Sequence, residues 1–288
     1  MICGMRGTTV MKSLVRQCLT PRMRDAARRV LGRSDPWGIT EQTLEELTQL
    51  PRYQHTKIRF FGNPLQVCDA ASFLSAWKEI FQAQIYRFHA QTPAPLIIDA
   101  GANLGLASIY LSRLYPSARI IAVESDPEIF SLLQANLSAQ GVHAEQVLCR
   151  AVWDSNETLR FSQDHADAGR VAGAGTVEVQ GLRLRDLLRK FGSVEFLKLD
   201  IEGAEVRVLQ DCRDSLAGVQ RLFVEYHSQA GQSQQLAELL EVLQSSGFRY
   251  YIQHCGVCNL TPLAGLQAEA GFDLQLNIWG IRQQASAC

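Results

Sequence analysis

Two stretches place carboxylates where the chain is about to turn, and both could do chemistry. In "LIIDAGANLGLAS", residues 96–108, Asp99 stands two residues before Gly101, and Gly105 follows. In "VEFLKLDIEGAEV", residues 194–206, Lys198 and Asp200 interrupt an apolar run, with Glu202 just beyond. A glycine turn between an apolar run and a helix suggests a dinucleotide site, but that fingerprint needs glycine at i, i+2 and i+5. Counted from Gly101, those positions hold Asn103 and Leu106. The glycines still let backbone approach a ligand closely. A carboxylate at Asp99 would repel a diphosphate and attract a cation. S-adenosylmethionine fits that charge: it carries a sulfonium, an ammonium and a ribose, and no phosphate. Its own carboxylate could meet the start of a helix expected over 104–115.

The next apolar run, "RIIAVESDPEIF", ends in Glu124, where an acid can accept hydrogen bonds from both ribose hydroxyls. Ser125 is taken with it. Asp126 before Pro127 reads either as part of the site or as a helix N-cap. Period-2 geometry puts Lys198 and Asp200 on one strand face, with Glu202 next in the same alternation. Buried charges need each other or a ligand, so these groups are either a structural ion pair or a site. For Asp200 a site is expected, because ligands bind beyond the carboxyl ends of strands in open α/β sheets. "RLFVEYHS" adds Glu225 and His227, two apart at another strand end. Asp200 and His227 are the candidate general bases, with Lys198 orienting the acid or the acceptor oxygen. Glu202 and Glu225 are candidates for contacting the acceptor. No metal is expected: Cys255-Gly-Val-Cys258 has no second pair of ligands and reads as a turn with two cysteines.

Elements must hold these residues in place. From Leu96 onward, short β-branched runs alternate with amphipathic stretches. Strands are expected over 96–100, 119–124, 145–151, 195–200, 219–226, 248–254 and 273–282. Helices are expected over 104–115, 127–140, 182–190, 203–211 and 232–246, and strand-like pieces over 158–162 and 176–180. This alternation predicts a doubly wound, Rossmann-like α/β sheet; no helix separates the last two strands, so the final one should enter antiparallel. "HAQTPAP" marks a boundary, giving an accessory, acceptor-side region over 1–92 and a catalytic domain over 93–288. The first region reads as mainly helical, with a basic helix over 11–31, a helix over 40–50 capped by Thr40, and an aromatic helical stripe over 71–88. Two short strands about a Gly62-Asn63 turn fall between them.

Composition narrows the class. The 288 residues are 47% hydrophobic and carry a net charge of −1, which gives no general attraction to nucleic acid. Neither a membrane-spanning apolar run nor a secretory leader is readable, and eight scattered cysteines suit a reducing cytoplasm. The basic N-terminal segment reads as a solvated helix or as a targeting or membrane-surface segment. The glycine-bearing insert over 162–176 reads as a lid or as a mobile surface loop.

Taken together, "IIDAGANLGLASIYLSRLYPSARIIAVESDP", "FLKLDIEGAE" and "LFVEYH" resemble the FkbM-type family of class I S-adenosylmethionine-dependent methyltransferases. The resemblance spans roughly 95–250. It implies a seven-stranded sheet with a final antiparallel strand, and in-line methylation of a hydroxyl on a sugar, lipid-like or other small molecule. It also implies that Asp99, Gly101, Asn103, Gly105 and Glu124 hold the cofactor, with Ala151, Val152 and Trp153 lining the adenine. The rival readings are a nicotinamide-dependent oxidoreductase, a non-catalytic S-adenosylmethionine-binding domain, and a nucleic-acid methyltransferase.

Overall fold

The computed structural model describes residues 37–162, 170–171 and 177–282. The basic helix expected over 11–31 and most of the 162–176 insert lie outside the described residues. The first described helix, α1 (Glu41–Thr48), starts where Thr40 Oγ1 accepts the Thr43 N–H at 3.2 Å. A hairpin of β1 (Thr56–Phe60) and β2 (Asn63–Val67) follows. Its two turn residues are Phe61 (φ 48°) and Gly62 (φ 83°), one residue earlier than the sequence suggested. Both positive φ values match the twist that a two-residue hairpin needs.

Asp69 caps α2 (Ala70–Trp77), which continues into a wider π-turn over Lys78–Gln82. The aromatic stripe is core, as its spacing implied, but the helix ends before Gln84 (φ 57°) rather than running to Phe88. Phe60, Phe73, Trp77 and Phe81 are buried, and Phe81 meets Tyr110 edge-on at 5.3 Å between ring centroids. Each such side chain contributes about 1.5–3 kcal/mol by leaving water. Segment 37–92 therefore shares one core with the sheet behind it.

The main sheet begins with β3 (Leu96–Ala100), α3 (Leu106–Leu114), β4 (Arg119–Glu124), α4 (Pro127–Ala139) and β5 (Gln146–Cys149). The chain then leaves this sheet at Arg150, splitting the strand expected over 145–151. Its continuation, β6 (Ala151–Trp153), joins β7 (Thr158–Ser162), β8 (Arg170–Val171) and β9 (Val177–Arg183) in a second sheet of order β6-β9-β7-β8. Then come α5 (Leu184–Phe191), β10 (Phe196–Leu199), α6 (Glu205–Cys212), β11 (Arg221–Gln229), α7 (Leu236–Ser245), β12 (Phe248–Cys255) and β13 (Phe272–Arg282).

The seven-stranded order is β12-β13-β11-β10-β3-β4-β5. Strands β11, β10, β3, β4 and β5 run parallel, whereas β13 inserts antiparallel between β11 and β12. The accessory segment, α3 and α4 cover one face, and α5, α6 and α7 cover the other. Strand order reverses between β3 and β10, so the carboxyl ends of these two strands open a crevice. Among the described residues, no helix is long and apolar enough to cross a membrane.

Candidate active site

The loop after β3 is shaped by what lies across the crevice. Gly101 has φ 80°, and a Cβ on it would stand 1.8 Å from the Asp200 carbonyl oxygen. Glycine is needed there because the loop after β10 packs directly on it. Lys198 tightens the same contact, donating from Nζ to the Gly101 carbonyl at 2.6 Å. Its ammonium also lies 3.1 Å from Asp200 Oδ2 and 3.6 Å from Asp99 Oδ1. Asp99 and Lys198 are register partners on β3 and β10. Burial opposes the Lys198 charge, but Asp200 and Asp99 outweigh it and hold its pKa above that of an ordinary lysine.

Asp99 does not face the crevice as the charge argument expected. It is fully buried beneath the loop, where Oδ2 accepts the Ser108 hydroxyl at 2.6 Å. Burial raises its pKa, and Lys198 opposes the rise. Gly105 is also turned away: it is the left-handed N-cap of α3, and a Cβ there would stand 2.9 Å from Leu133. Asn103 and Glu124 bind each other first, since Glu124 Oε2 accepts the Asn103 N–H at 2.8 Å. Glu124 Oε1 accepts the Asp126 N–H at 2.9 Å, and burial raises this carboxyl's pKa. Asp126 is a cap, accepting the Glu128 and Ile129 N–H groups through Oδ1, and it lines the crevice as well. Trp153 carries the Arg207 guanidinium 4.8 Å from its ring centre, while Arg207 Nε bonds Asp154 at 2.6 Å.

The other side of the crevice is acidic. Asp200 and Glu202 follow β10, and Glu225 and His227 lie on β11. Glu202 holds φ 56° in the turn before α6. Glu205 organises this turn: it is fully buried and accepts the Ile201 N–H at 3.0 Å and the Gly203 N–H at 3.0 and 3.1 Å. The same carboxylate lies 3.1 Å from His227 Nδ1. Nε2 of that imidazole points between Glu202 Oε2 at 3.5 Å and Glu225 Oε1 at 3.6 Å. Burial opposes the imidazolium, but Glu205 and Glu202 overcome it, so the His227 pKa stands well above the usual value. Burial and then the Asp200 charge push Glu225 up to about 8. Glu202 rises well above the usual range, mainly through burial, with His227 opposing and Asp200 adding to the rise. Asp200, Glu202 and His227 bring one potential metal-ligand atom each within 4.8 Å of one another.

Both sides border a single cavity of about 580 Å³. Gly101, Asn103, Glu124, Ser125, Ala151 and Val152 line it together with Lys198, Asp200, Glu202 and Glu225. Asp99, Gly105 and His227 support that wall from behind. The outer wall includes Arg52, Tyr53, Glu79 and Tyr86 from the accessory segment and Phe272 and Gln275 from β13, none of which the sequence singled out. Glu79 sits in the π-turn, where helical periodicity gives no warning of its direction. Glu205 was visible as the last acid of "KLDIEGAE", but at a helix start it looks like an ordinary dipole partner.

A doubly wound sheet with a glycine loop, acid-ended strands and one shared cavity is the arrangement of an S-adenosylmethionine-dependent methyltransferase. Its chemistry suits that cofactor. Glu124 offers a carboxylate at the end of β4, and Lys198 is committed to Asp99 and Asp200 rather than left for a phosphate. Comparison with known proteins agrees. The methyltransferase FkbM domain matches residues 99–250, more than half of the chain, and the chain belongs to this family. It is 31% identical over 205 residues to methyltransferase sdnD of Sordaria araneosa, covering 57% of this chain and 79% of that protein. It is 30% identical over 164 residues to methyltransferase 1 of Beauveria bassiana, covering 48% and 66%. It is 26% identical over 218 residues to the 31-O-demethyl-FK506 methyltransferase FkbM of Streptomyces tacrolimicus, covering 62% and 82%. The chain is therefore an enzyme, and its cofactor is S-adenosylmethionine.

Proposed function

We propose that this enzyme methylates a hydroxyl oxygen of a small molecule. The carrying observation is that the Gly101–Asn103 loop and Glu124 share one cavity with Asp200 and Glu225. A cofactor on one side and an acceptor hydroxyl on the other would then meet without water between them. The relative named as a 31-O-demethyl-FK506 methyltransferase supports oxygen as the acceptor atom.

In this reading the cofactor lies against Gly101, Ala102, Asn103, Glu124, Ser125, Ala151 and Val152 and supplies an electrophilic methyl group. Asp99 acts through Lys198, holding the ammonium against the Gly101 carbonyl. Segment 37–92 forms the acceptor-side wall. Displacement in line needs the acceptor oxygen held about 3 Å from the methyl carbon. Its proton must leave as the new bond forms. His227 is a poor base here, because three surrounding carboxylates favour its protonated form and the ring stands behind the cavity wall. The task passes to the carboxylates that face the cavity. Asp200 is engaged by Lys198, so Glu225, once the positive charge of the bound cofactor favours its ionised form, takes the proton and Asp200 positions the acceptor.

The test is transfer of a labelled methyl group to hydroxyl, carboxyl and amine acceptors, with the product's methyl position assigned by NMR. Transfer to a hydroxyl is expected. Glu225→Gln should slow it by about 10²–10⁴-fold while the cofactor Kd stays within a few-fold. Transfer to nitrogen only, or a Glu225→Gln enzyme with an unchanged rate, overturns the reading.

A further inference from the structure

We propose that Asp200, Glu202 and His227 bind one divalent metal ion of the Mg²⁺ or Mn²⁺ kind, which holds the oxygens of the acceptor. The use of the ion rests on the hydroxyl-methylation reading; the site itself stands on geometry. Three ligand atoms, two carboxylate oxygens and one imidazole nitrogen, lie within 4.8 Å of one another. Hard divalent ions hold such atoms at about 2.0–2.6 Å, which places ligands up to roughly 4–5 Å apart across the ion.

The histidine is the independent sign. Its side chain is only 1% exposed, and Nδ1 is held by the fully buried Glu205 at 3.1 Å. A carboxylate behind one imidazole nitrogen orients the other for a metal, and the ion takes the place of the proton that Nε2 carries without it, releasing that proton to solvent. Here that other nitrogen, Nε2, is aimed into the cluster at 3.5 and 3.6 Å from two carboxylates, too far for good hydrogen bonds. Glu202 fits the same picture. Its turn is fixed by Glu205, and its carboxylate lines the cavity beside the His227 ring.

Charge points the same way. Asp99, Asp200, Glu202, Glu205 and Glu225 converge on Lys198 and His227. This crowding of carboxyl groups, which protons relieve in the free protein, is relieved more fully by a dication than by a sulfonium alone. Three protein ligands leave positions open on a six-coordinate ion. Those positions suit an acceptor with two neighbouring oxygens, such as a vicinal diol or a hydroxy acid. The chemical balance is unchanged. The acceptor hydroxyl gives its proton to Glu225, the oxygen forms the new bond to the methyl carbon, and the C–S electron pair stays on sulfur.

The whole 288-residue chain, stripped with EDTA, is titrated with Mn²⁺ and the free ion followed by EPR, without cofactor or acceptor. One ion per chain is expected. Glu202→Gln and His227→Gln should weaken binding at least about tenfold, and Glu205→Gln by about 10–100-fold through the imidazole's orientation. Cys258→Ser, exposed and outside the site, should bind as the parent does. If His227→Gln fails to fold, Glu202→Gln carries the test alone, because its side chain borders open cavity. No stoichiometric Mn²⁺ binding, or binding unaffected by these variants, overturns the site. EDTA-resistant hydroxyl methylation overturns the ion's use and leaves the proposed function standing. Specific Mn²⁺ binding without hydroxyl methylation supports the site and overturns the proposed function instead.

Discussion

Two buried acidic regions of this molecule are treated in opposite ways. Asp69, before α2, is wholly buried and wholly satisfied. Its carboxylate accepts both contacts from Arg52 Nε at 2.9 and 3.0 Å, the Tyr53 N–H at 2.8 Å, and the Ser72 N–H and hydroxyl. Burial alone would raise its pKa, but these donors outweigh it and the pKa is lowered. At the ends of β10 and β11, by contrast, burial and mutual repulsion win, and Glu202 and Glu225 are raised. The first region finishes its electrostatics within the fold. The second leaves them to be completed by something that binds, as a site for a cationic cofactor requires.

The largest effect that would break this contrast is on stability. Asp69→Ala removes the charge on which Arg52 rests and the α2 cap, leaving the donors from Tyr53 and Ser72 unmatched. Lost capping costs about 0.5–2 kcal/mol and badly matched buried donors about 1–3 kcal/mol, so roughly 3 kcal/mol is expected. At about 2–4 °C per kcal/mol, the Tm should fall by roughly 6–12 °C by calorimetry. A fall of less than 1 °C would show that Asp69 is no more structural than the acids of the cavity.

Much of this contrast was readable in the chain, though unevenly. Alternating apolar strands and amphipathic helices announced the doubly wound sheet, because period and length are local properties. The missing helix before the last strand announced β13's antiparallel entry. Glycine at 101 was legible as a close approach, but the partner in that approach, the Asp200 carbonyl, was not. Asp99 shows why. Its pairing with Lys198 depends on register between β3 and β10, strands far apart in sequence. A strand pattern tells which residues share a face, not which charge from another strand meets them. Glu205 was hidden for a related reason, since its partners are two backbone N–H groups and a histidine on β11. The hairpin turn moved by one residue because Phe61 accepts a positive φ that its residue type disfavours.

The smaller effect sharpens the contrast through pH. A group with a lowered native pKa, such as Asp69, stabilises above its unfolded pKa and loses that stabilisation as pH falls through the native value. The raised groups act in the opposite sense. Glu225, from an ordinary 4.5 to about 8, binds its proton more tightly in the folded state, so rising pH over that interval costs stability. His227, raised as well, contributes stability below its unfolded pKa that is likewise lost as pH rises through the native one. Asp200, His227, Glu79, Lys198 and Glu202 face Glu225 and set how its titration is shared. The EDTA-treated, ligand-free protein should therefore be less stable at pH 8 than at pH 5.5, and Glu225→Gln should remove part of that slope, on the order of 1–2 kcal/mol by urea unfolding. Adding a cation that belongs in the cluster should flatten the slope in the parent, because it replaces the protons that the folded acids hold. An equal slope in parent and variant would mean that the acids of β10 and β11 are as well satisfied as Asp69, and the distinction between the two regions would fail.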